Sequence, residues 1–566
     1  MKLRTHPLRA APTGPLVFVV LDGVGVGRGD EFDAVHVART PTLARLARAG
    51  VRRTLRAHGL AVGLPSDADI GNSEVGHNIL GAGRIFPQGA SSVEAAFASG
   101  SLWQGPWRKL ADNARREGAT LHFIGLLSDG NVHAHQQHLE RLLERAAGEH
   151  VRRLRVHALL DGRDVPDRSA QRYLQRLEDT LARLRERGCD ARIASCGGRM
   201  VTTMDRYEAD WRIVEAGWKV QVLGQGRRFA SALDGLATLR AELPDLSDQV
   251  VPPYVVADES GAPCGPIVDG DSVVLYNFRG DRAIEVSMAF ESDASFDRFE
   301  RVRVPRVCFA GMMLYDGDRR IPAEYLVSPE VVTDTISECL AQSGCTQFAC
   351  AETQKYGHIT YFWNGNLSSK FSERDEVYLE IPSDRVPFDQ RPWMKSAETA
   401  DALVAAIDEG RFRFIRANFA AGDMVGHTGN LDAAVIAVEA LDLSLARVAA
   451  ALQRRGGVLV VTADHGNADE MVERDDAGRP LRSAAGVPVG RTSHTRNPVP
   501  FIVWNAAGPT PALRDDLPDA GLANVAATLI ELLGYVAPAA YEPSLLAAPA
   551  GTAPAVDNSA ASKRTP

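Results

Sequence analysis

Residues 15–23 read PLVFVVLDG, a short apolar run that ends in an aspartate and a glycine. Because its apolar residues do not alternate with polar ones, the run predicts a strand buried on both faces, as in a parallel sheet. Two later segments have the same form, a strand that leads into a polar loop: FRFIRANFAAGDMVGH (412–427) and GVLVVTADHGN (457–467). Residues 431–453, between them, predict a crossover helix. These elements indicate an α/β fold.

A second set of strands is predicted in the middle of the chain. These strands are TLHFIGLLSDGNVHAH (120–135), LRVHALLDGRD (154–164), ARIASCGGRM (191–200) and SVVLYNFRGDR (272–282). Residues 136–150 and 168–188 are charged and amphipathic, so they predict helices of a second doubly wound α/β unit. The chain of 566 residues also exceeds the roughly 250–300 residues that a single core usually serves.

Candidate acidic ligands lie both before and after this middle set, so the simplest topology inserts a second domain into a discontinuous first one. We predict an outer domain of residues 1–87 and 328–545, an inserted domain of residues 88–327 and a disordered tail of residues 546–566. The junctions fall near 86–89 and 314–329, where Gly, Pro and charged residues suit a hinge. The tail is rich in Ala, Pro, Ser and Thr and offers little to bury.

Composition narrows the classes of partner and compartment. The formal net charge of −9 disfavours indiscriminate binding to nucleic acid or to an anionic membrane. The first apolar run is too short for a secretory signal, and no segment approaches the roughly 18 apolar residues of a transmembrane helix. The seven cysteines are an odd number and lie in no C-x-x-C spacing, which suggests reduced thiols. We therefore expect a cytoplasmic monomer that binds neither nucleic acid nor membrane.

Carboxylate and imidazole side chains follow the outer strands, and ligand sites of parallel sheets lie at the carboxyl ends of strands. Taken singly, each such residue would more often be a cap or a surface residue. Three acids at three strand ends favour a metal site, because carboxylates brought together repel unless a cation neutralises them. Mixed oxygen and nitrogen ligands suit Mn²⁺ or Zn²⁺ better than Ca²⁺, with Mg²⁺ and Co²⁺ as alternatives. The candidate ligands are Asp22, Asp423, His427, Asp464, His465 and His494.

The candidate nucleophile is Ser73, in GLPSDADIGNSEVGHNILGAGRIF (63–86). A serine at this point of a sequence is often only the N-cap of a helix. The two roles are compatible, because a helix amino terminus presents N–H groups that stabilise an anionic phosphoryl group. A coordinated metal would also lower the pKa of the hydroxyl and make it a nucleophile.

Arginines are concentrated at the ends of the middle strands. Each one alone would be read as a solvated surface residue, but five fall in loops after these strands instead of along helix faces. Guanidinium groups can form two N–H bonds at once with a carboxylate or phosphate, so the cluster predicts an anion site. Its members are Arg163, Arg199, Arg206, Arg279 and Arg282. Asp164 in DGRD either orients these arginines as a salt-bridge partner or acts as a general base.

Together the motifs resemble the cofactor-independent phosphoglycerate mutases of the alkaline phosphatase superfamily. The matching motifs occur in the family's order over nearly the whole chain: LDG, GNSEVGH, LLSDGNVHAH, LDGRD, GGRMVTTMDRYEADW, YNFRGDRA, AETQKYGHITYFWNGN, GDMVGH, TADHGN and SHTRNPVP. The sequences of these motifs are most similar to those of the larger branch of the family, which is found in plants, trypanosomatids and some bacteria. The resemblance implies an alkaline-phosphatase-like doubly wound sheet domain that is interrupted by an inserted α/β domain.

The resemblance also implies a role for each motif residue. One divalent ion would be held by Asp423, His427 and His494, and a second by Asp22, Asp464, His465 and the hydroxyl of Ser73. Mn²⁺ is the preferred ion, and no 2,3-bisphosphoglycerate is required. Phosphoglycerate would be bound by His133, Arg163, Asp164, Arg199, Arg206, Arg279, Arg282 and Lys355. Ser73 would form a phosphoserine, Asp164 would be the base and Lys355 would stabilise developing negative charge.

The implied activity is interconversion of 3-phosphoglycerate and 2-phosphoglycerate in glycolysis and gluconeogenesis, with water excluded by domain closure. A metal-dependent phosphatase or phosphodiesterase would need the acidic cluster but not the arginines, so DGRD, MDRYEADW and YNFRGDR argue against it. A chain that only binds metal or a partner would be expected to lack Ser73, Asp423 or Asp464. Phosphopentomutase shares the outer-domain chemistry, but its inserted domain differs.

Substitution Ser73→Ala tests the nucleophile. The variant should lose interconversion altogether, because no hydroxyl remains to take the phosphoryl group, while it still binds glycerate. An assay of 2-phosphoglycerate formation and a calorimetric titration with glycerate would measure the two properties separately. Normal turnover by this variant would exclude the phosphoserine route.

Overall fold

A computed structural model describes residues 1–206, 208–317, 319–328, 330, 332–483 and 485–548 of the chain. Within these residues the strands form two separate sheets. The predicted disordered tail falls almost wholly on residues 549–566, which lie outside the described residues. Leu546, at the start of that predicted tail, is buried and forms a β-bridge with Leu513.

The first sheet is built around the apolar run of residues 15–23. Among the described residues it has seven strands, in the order Glu376–Ile381, Gln347–Glu352, Phe414–Phe419, Leu16–Leu21, Val458–Thr462, Val499–Asn505 and Val51–Leu55. The first five are parallel, and the last two add antiparallel pairings at one edge. Leu16–Leu21 is central and buried along its whole length, so the predicted parallel core is confirmed. The antiparallel edge was not predicted.

The second sheet takes the strands from the middle of the chain. Its eight described strands have the order Tyr325–Val327, Cys308–Met313, Ser272–Leu275, Leu121–Leu127, Arg153–Leu160, Asp190–Gly198, Tyr254–Val256 and Arg227–Phe229. The first six are parallel, and Tyr254–Val256 runs antiparallel to Asp190–Gly198. All four predicted middle strands are present, which confirms a second α/β unit.

We call the first sheet, with strands from 16–55 and 347–505, and its helices the outer unit. The second sheet, with strands from 121–327, and its helices form the inserted unit. Each unit buries its own apolar cluster, the first around Phe18 and Leu459 and the second around Phe123 and Val156. The domain boundaries at 87/88 and 327/328 remain a prediction.

Helices connect the strands of both sheets. The predicted helices at 431–453, 136–150 and 168–188 are observed as Leu431–Arg455, Gln136–Gly148 and Ala170–Glu186. The other described α-helices are Ala34–Val37, Pro41–Ala49, Ser73–Ala82, Gly89–Ser99, Pro106–Ala114, Trp211–Gln221, Ala232–Glu242, Ile284–Glu291, Ile336–Gln342, Thr353–Gly357, Ser396–Glu409, Ala421–Gly426 and Asn524–Leu532. Among the described residues, none of the helices combines the length and apolarity that a membrane span requires.

A chain of buried polar side chains crosses the second sheet. Asp271 Oδ2 lies 3.1 Å from His122 Nε2, His122 Nδ1 lies 3.0 Å from His157 Nε2, and His157 Nδ1 lies 2.8 Å from Ser195 Oγ. One arrangement of protons satisfies every contact: each Nε2 donates, and each Nδ1 accepts. Both imidazoles are then neutral, and burial accordingly lowers the pKa of His122 and, more strongly, of His157.

This chain of side chains predicts acid sensitivity. The pKa of each of these two histidines is lower in the folded protein than in the unfolded chain. Their contribution to the free energy of unfolding is therefore fully present above about pH 6.5. It is lost as the pH falls, by up to about 1.4 kcal/mol per pH unit for each histidine. The substitution His157→Gln removes one titrating group, so the free energy of unfolding should fall less between pH 7 and pH 5 than in the wild type. Urea titrations of both proteins at the two pH values check this, and equal losses would contradict it.

Candidate active site

The acidic candidates of the outer unit meet at one edge of its sheet. Asp22 directly follows Leu16–Leu21, Asp423 lies in the short helix after Phe414–Phe419, and Asp464 lies two residues after Val458–Thr462. Because these three strands are parallel neighbours, their carboxyl ends coincide. All three carboxylates are buried.

Two histidines and a carboxylate converge in the first part of this centre. The Nε2 atoms of His427 and His494 lie 3.0 Å apart, and each is 3.1 Å from Asp423 Oδ1. Their Nδ1 atoms lie 2.6 Å from the carbonyl of Thr492 and 2.9 Å from that of Gly71, respectively. A carbonyl only accepts hydrogen bonds, so each Nδ1 carries the proton and each Nε2 presents a lone pair. Three acceptors thus face one another with no proton between them, an arrangement that a cation would relieve.

The electrostatics of these histidines agree with that protonation. Burial lowers the pKa of His427 to about 3 and that of His494 to about 4, assisted by Arg163 and His465, respectively. Both rings are therefore neutral near pH 7, which is the form that binds a metal ion.

Ser73 lies beside the second part of the centre. Its Oγ is 2.9 Å from His465 Nε2 and 3.2 Å from Asp22 Oδ1. The same His465 atom is 3.5 Å from Asp464 Oδ2 and 3.9 Å from Asp423 Oδ1. His465 thus lies between the two predicted metal positions and is within reach of both.

Lys355 occupies the middle of the cluster and is almost fully buried. Its Nζ is 2.7 Å from Asp22 Oδ1, 2.8 Å from Asp423 Oδ2 and 2.5 Å from Ser73 Oγ. This one ammonium opposes the three carboxylates of Asp22, Asp423 and Asp464, and the nearby imidazoles of His427 and His494 are neutral. Burial and the neighbouring Asp464 raise the pKa of Asp22. The remaining negative charge and the converging lone pairs fit divalent cations.

Ser73 does not itself cap its helix. The N-cap of Ser73–Ala82 is Asn72, whose Oδ1 accepts from the backbone N–H of Val75 at 3.1 Å. As the first helical residue, Ser73 has its hydroxyl directed at the acidic centre. Gly76 lets this helix lie against the end of the neighbouring strand, because a Cβ there would lie 2.7 Å from Asp464 Cβ.

His77 is a site residue that the sequence interpretation missed. Its Nδ1 lies 2.7 Å from the carbonyl of Ser73 and 3.3 Å from Asp464 Oδ2, and its Nε2 lies 3.1 Å from Asn418 Nδ2. The amide of Asn418 also donates to Asp22 Oδ2 at 2.6 Å, which fixes its orientation. His77 Nε2 therefore accepts, and Nδ1 carries the proton, so this ring orients Asp464 instead of offering a lone pair to a metal. The available signal was its position four residues after Ser73, on the same helix face.

The predicted anion-binding residues of the inserted unit are also brought together. Arg199 Nη1 lies 2.7 Å from Asp161 Oδ1 and 2.5 Å from Asp164 Oδ2. Burial raises the pKa of Asp164, but Arg199 outweighs burial and holds it at about 2. Burial and neighbouring arginines lower the pKa of Arg163 to about 10 and that of Arg282 well below its usual range. Such crowded guanidinium groups favour an anion between them. The buried members are His133, Arg163, Asp164, Arg199, Arg206, Arg279 and Arg282.

The two clusters face each other across the units. Arg163 Nη2 and Arg206 Nη2 lie 3.7 Å and 3.3 Å from the sulfur of Met424, which directly follows Asp423. Arg279 Nη1 lies 3.3 Å from Asn72 Oδ1, beside Ser73. The acidic centre and the arginine cluster therefore form one buried site.

Comparison with known proteins identifies the class. The family model of the metalloenzyme superfamily matches residues 14–537, so the chain belongs to that superfamily. Within it, the chain is 54% identical over 549 residues to a 2,3-bisphosphoglycerate-independent phosphoglycerate mutase of Trypanosoma brucei brucei, an alignment that covers 96% of this chain and 100% of the relative. A mutase of the same description from Ricinus communis is 48% identical, with coverage of 97% and 99%. The chain belongs to the family of 2,3-bisphosphoglycerate-independent phosphoglycerate mutases.

A solved structure supports the same assignment. The crystal structure of Leishmania mexicana phosphoglycerate mutase at low cobalt concentration superimposes with a TM-score of 0.95 at 51% identity, and the match covers 97% of this chain and 100% of that chain. The predicted fold class and family resemblance are therefore confirmed.

Removal of divalent metal should destabilise the protein, because it leaves three buried carboxylates opposed by one ammonium. We expect a chelator to lower the thermal midpoint by roughly 5 °C, the scale of losing a well-saturated ligand. The variant His494→Ala lacks one of the converging metal ligands, so the chelator should lower its thermal midpoint by less than that of the wild type. Calorimetry together with elemental analysis checks this. An unchanged midpoint in protein shown to have lost its metal would contradict it.

Proposed function

We propose that this protein interconverts 3-phosphoglycerate and 2-phosphoglycerate through a phosphoserine on Ser73. The observation that carries the proposal is the position of Ser73. Its hydroxyl lies in the acidic centre, while Asn72 before it contacts Arg279 of the anion cluster. A nucleophile at this boundary can take a phosphoryl group from a substrate that the arginines hold.

The chain's own groups prepare Ser73 for that step. Lys355 Nζ, 2.5 Å from Ser73 Oγ, places positive charge where the serine oxygen becomes anionic. The helix that begins at Ser73 directs its free N–H groups toward a phosphoryl group on the hydroxyl. Both side chains are almost fully buried, so water has little access to the phosphoserine.

The arginines distinguish a mutase from a phosphatase. A phosphatase releases its alcohol after the first transfer, whereas a mutase must retain glycerate until the phosphoryl group returns to the other hydroxyl. The arginine cluster offers forked donors for the glycerate carboxylate throughout this interval. The second candidate function, a metal-dependent phosphatase or phosphodiesterase, has no need of these buried guanidinium groups.

Asp164 is proposed as the group that takes the proton of the accepting glycerate hydroxyl. Its carboxylate is ionised near pH 7 and is fixed by Arg199 at 2.5 Å, so it is available as an oriented acceptor. The same contact also fits the simpler role of orienting Arg199. The two roles differ in the half-reaction that they affect.

Two divalent ions are proposed to complete the site, Mn²⁺ in preference to Mg²⁺ or Co²⁺. Their ligands would be Asp423, His427 and His494 for one ion, and Asp22, Asp464, His465 and the Ser73 hydroxyl for the other. When bound, they supply positive charge that lowers the pKa of the serine hydroxyl and neutralises the transferring phosphoryl group.

We also propose that the enzyme acts as a cytoplasmic monomer. The seven cysteines are all free thiols, which suits a reducing compartment. A monomer is consistent with a site built entirely from one chain.

Substitution Asp164→Asn separates its two proposed roles. If Asp164 is the base, transfer from 3-phosphoglycerate to Ser73 should persist while the return step slows by about 10²–10⁴-fold. Phosphorylated Ser73 would then accumulate and be detected by mass spectrometry of the quenched protein. If Asp164 only orients Arg199, both half-reactions should weaken together and KM should rise.

Measurement of 2-phosphoglycerate and inorganic phosphate in one reaction distinguishes a mutase from a phosphatase. The wild-type protein should form 2-phosphoglycerate with little inorganic phosphate. Phosphate release without interconversion would overturn the proposed function in favour of the phosphatase.

A further inference from the structure

Gln354 of the outer unit holds one of the arginines of the inserted unit. Its Oε1 accepts from Arg206 Nη2 at 2.8 Å and from Arg206 Nε at 3.2 Å, so one amide oxygen receives both arms of the guanidinium fork. Gln354 directly precedes Lys355 in the helix Thr353–Gly357. Successive helical side chains point about 100° apart, so one turn directs Lys355 to the acidic centre and Gln354 to the arginine.

Glu74 makes the corresponding contact on the other side of the site. Its Oε2 lies 2.9 Å from Arg279 Nε. Glu74 directly follows Ser73 in the first turn of its helix. The side chains of Arg279 and Glu74 are only 6% and 15% exposed, so this ion pair is largely shielded from solvent.

The contacts of Gln354 with Arg206 and of Glu74 with Arg279 have the same arrangement. Each joins an arginine of the inserted unit to an outer-unit side chain that is one residue from a reacting group. Neither Gln354 nor Glu74 is needed to complete the acidic centre, and both are only partly exposed at the boundary between the units. Movement of either arginine away from the outer unit would therefore break a contact carried by the same short helix as Lys355 or Ser73.

We propose that Gln354 and Glu74 form an interunit latch: they are positioning residues that seat Arg206 and Arg279 against the outer unit, so that glycerate is retained while the phosphoryl group is on Ser73. This inference rests on the proposed mutase function. The latch acts through the arginines and touches no transferring atom. Its loss should weaken substrate binding and let water compete for the phosphoserine, with less effect on the chemical step.

Alanine and conservative variants test the latch. Gln354→Ala should raise KM for 3-phosphoglycerate by about tenfold, the low end for a lost hydrogen bond to a charged group, and Glu74→Ala should raise it by a similar factor through loss of its ion pair. Each should also raise the amount of inorganic phosphate released per interconversion by severalfold, while kcat changes less. Gln354→Glu keeps an acceptor oxygen for Arg206 and should give values near those of the wild type, whereas Glu74→Gln loses the negative charge of its ion pair and should behave like Glu74→Ala.

A matched control is available on the inserted unit. Gln175 is an exposed glutamine whose amide bonds to Asp179 within its own helix, so Gln175→Ala should change neither KM nor phosphate release. Small-angle scattering without substrate provides a readout independent of activity, and the alanine variants should be more expanded than the wild type and the control.

The outcomes separate this inference from the function on which it rests. Failure of the wild type to interconvert the phosphoglycerates would remove the proposed function. An active wild type with alanine variants that match it in KM and phosphate release would overturn the latch alone. Alanine variants with lower kcat but unchanged KM, phosphate release and scattering would show a general structural role and would likewise overturn it.

Discussion

The acidic centre has an excess of buried negative charge, and the rest of the site is arranged around it. Three carboxylates lie at the ends of three neighbouring parallel strands and are opposed by one buried lysine. Parallel strands bring Asp22, Asp423 and Asp464 together whether or not their charges are balanced. Lys355 balances one of them, and neutral histidines present lone pairs instead of protons. A centre with this charge and these donors is suited to divalent cations, which agrees with membership of the metalloenzyme superfamily.

The inserted unit supplies the opposite charge. Its buried arginines repel one another, and burial together with this repulsion lowers the pKa of Arg282 well below its usual range. An anionic group between the guanidinium groups would relieve this repulsion, whereas divalent cations would relieve that of the carboxylates. A phosphorylated carboxylate substrate has its two negative groups at separate ends, so it matches a site with arginines on one side and a cation-binding centre on the other.

Much of this site could be predicted because its charged and imidazole side chains lie within short sequence motifs. TADHGN places an acid and a histidine directly after an apolar strand, and DGRD and YNFRGDR place arginines after two others. His77 escaped prediction because its role depends on Asn418, 341 residues away, which fixes its protonated nitrogen. The distances of His465 Nε2 from Asp464 and Asp423, 3.5 Å and 3.9 Å, likewise depend on residues that lie on two different strands' ends, so the sequence could not give them.

The sequence by itself determined the α/β class, the two sets of strands and the residue types of both clusters, because each is encoded within a strand and the loop that follows it. Only the tertiary structure decided which residues of one unit meet those of the other. The contacts of Arg206 with Gln354 and of Arg279 with Glu74 join positions 148 and 205 residues apart. No local pattern specifies such pairs, because they arise from the way in which two separately formed cores are packed together.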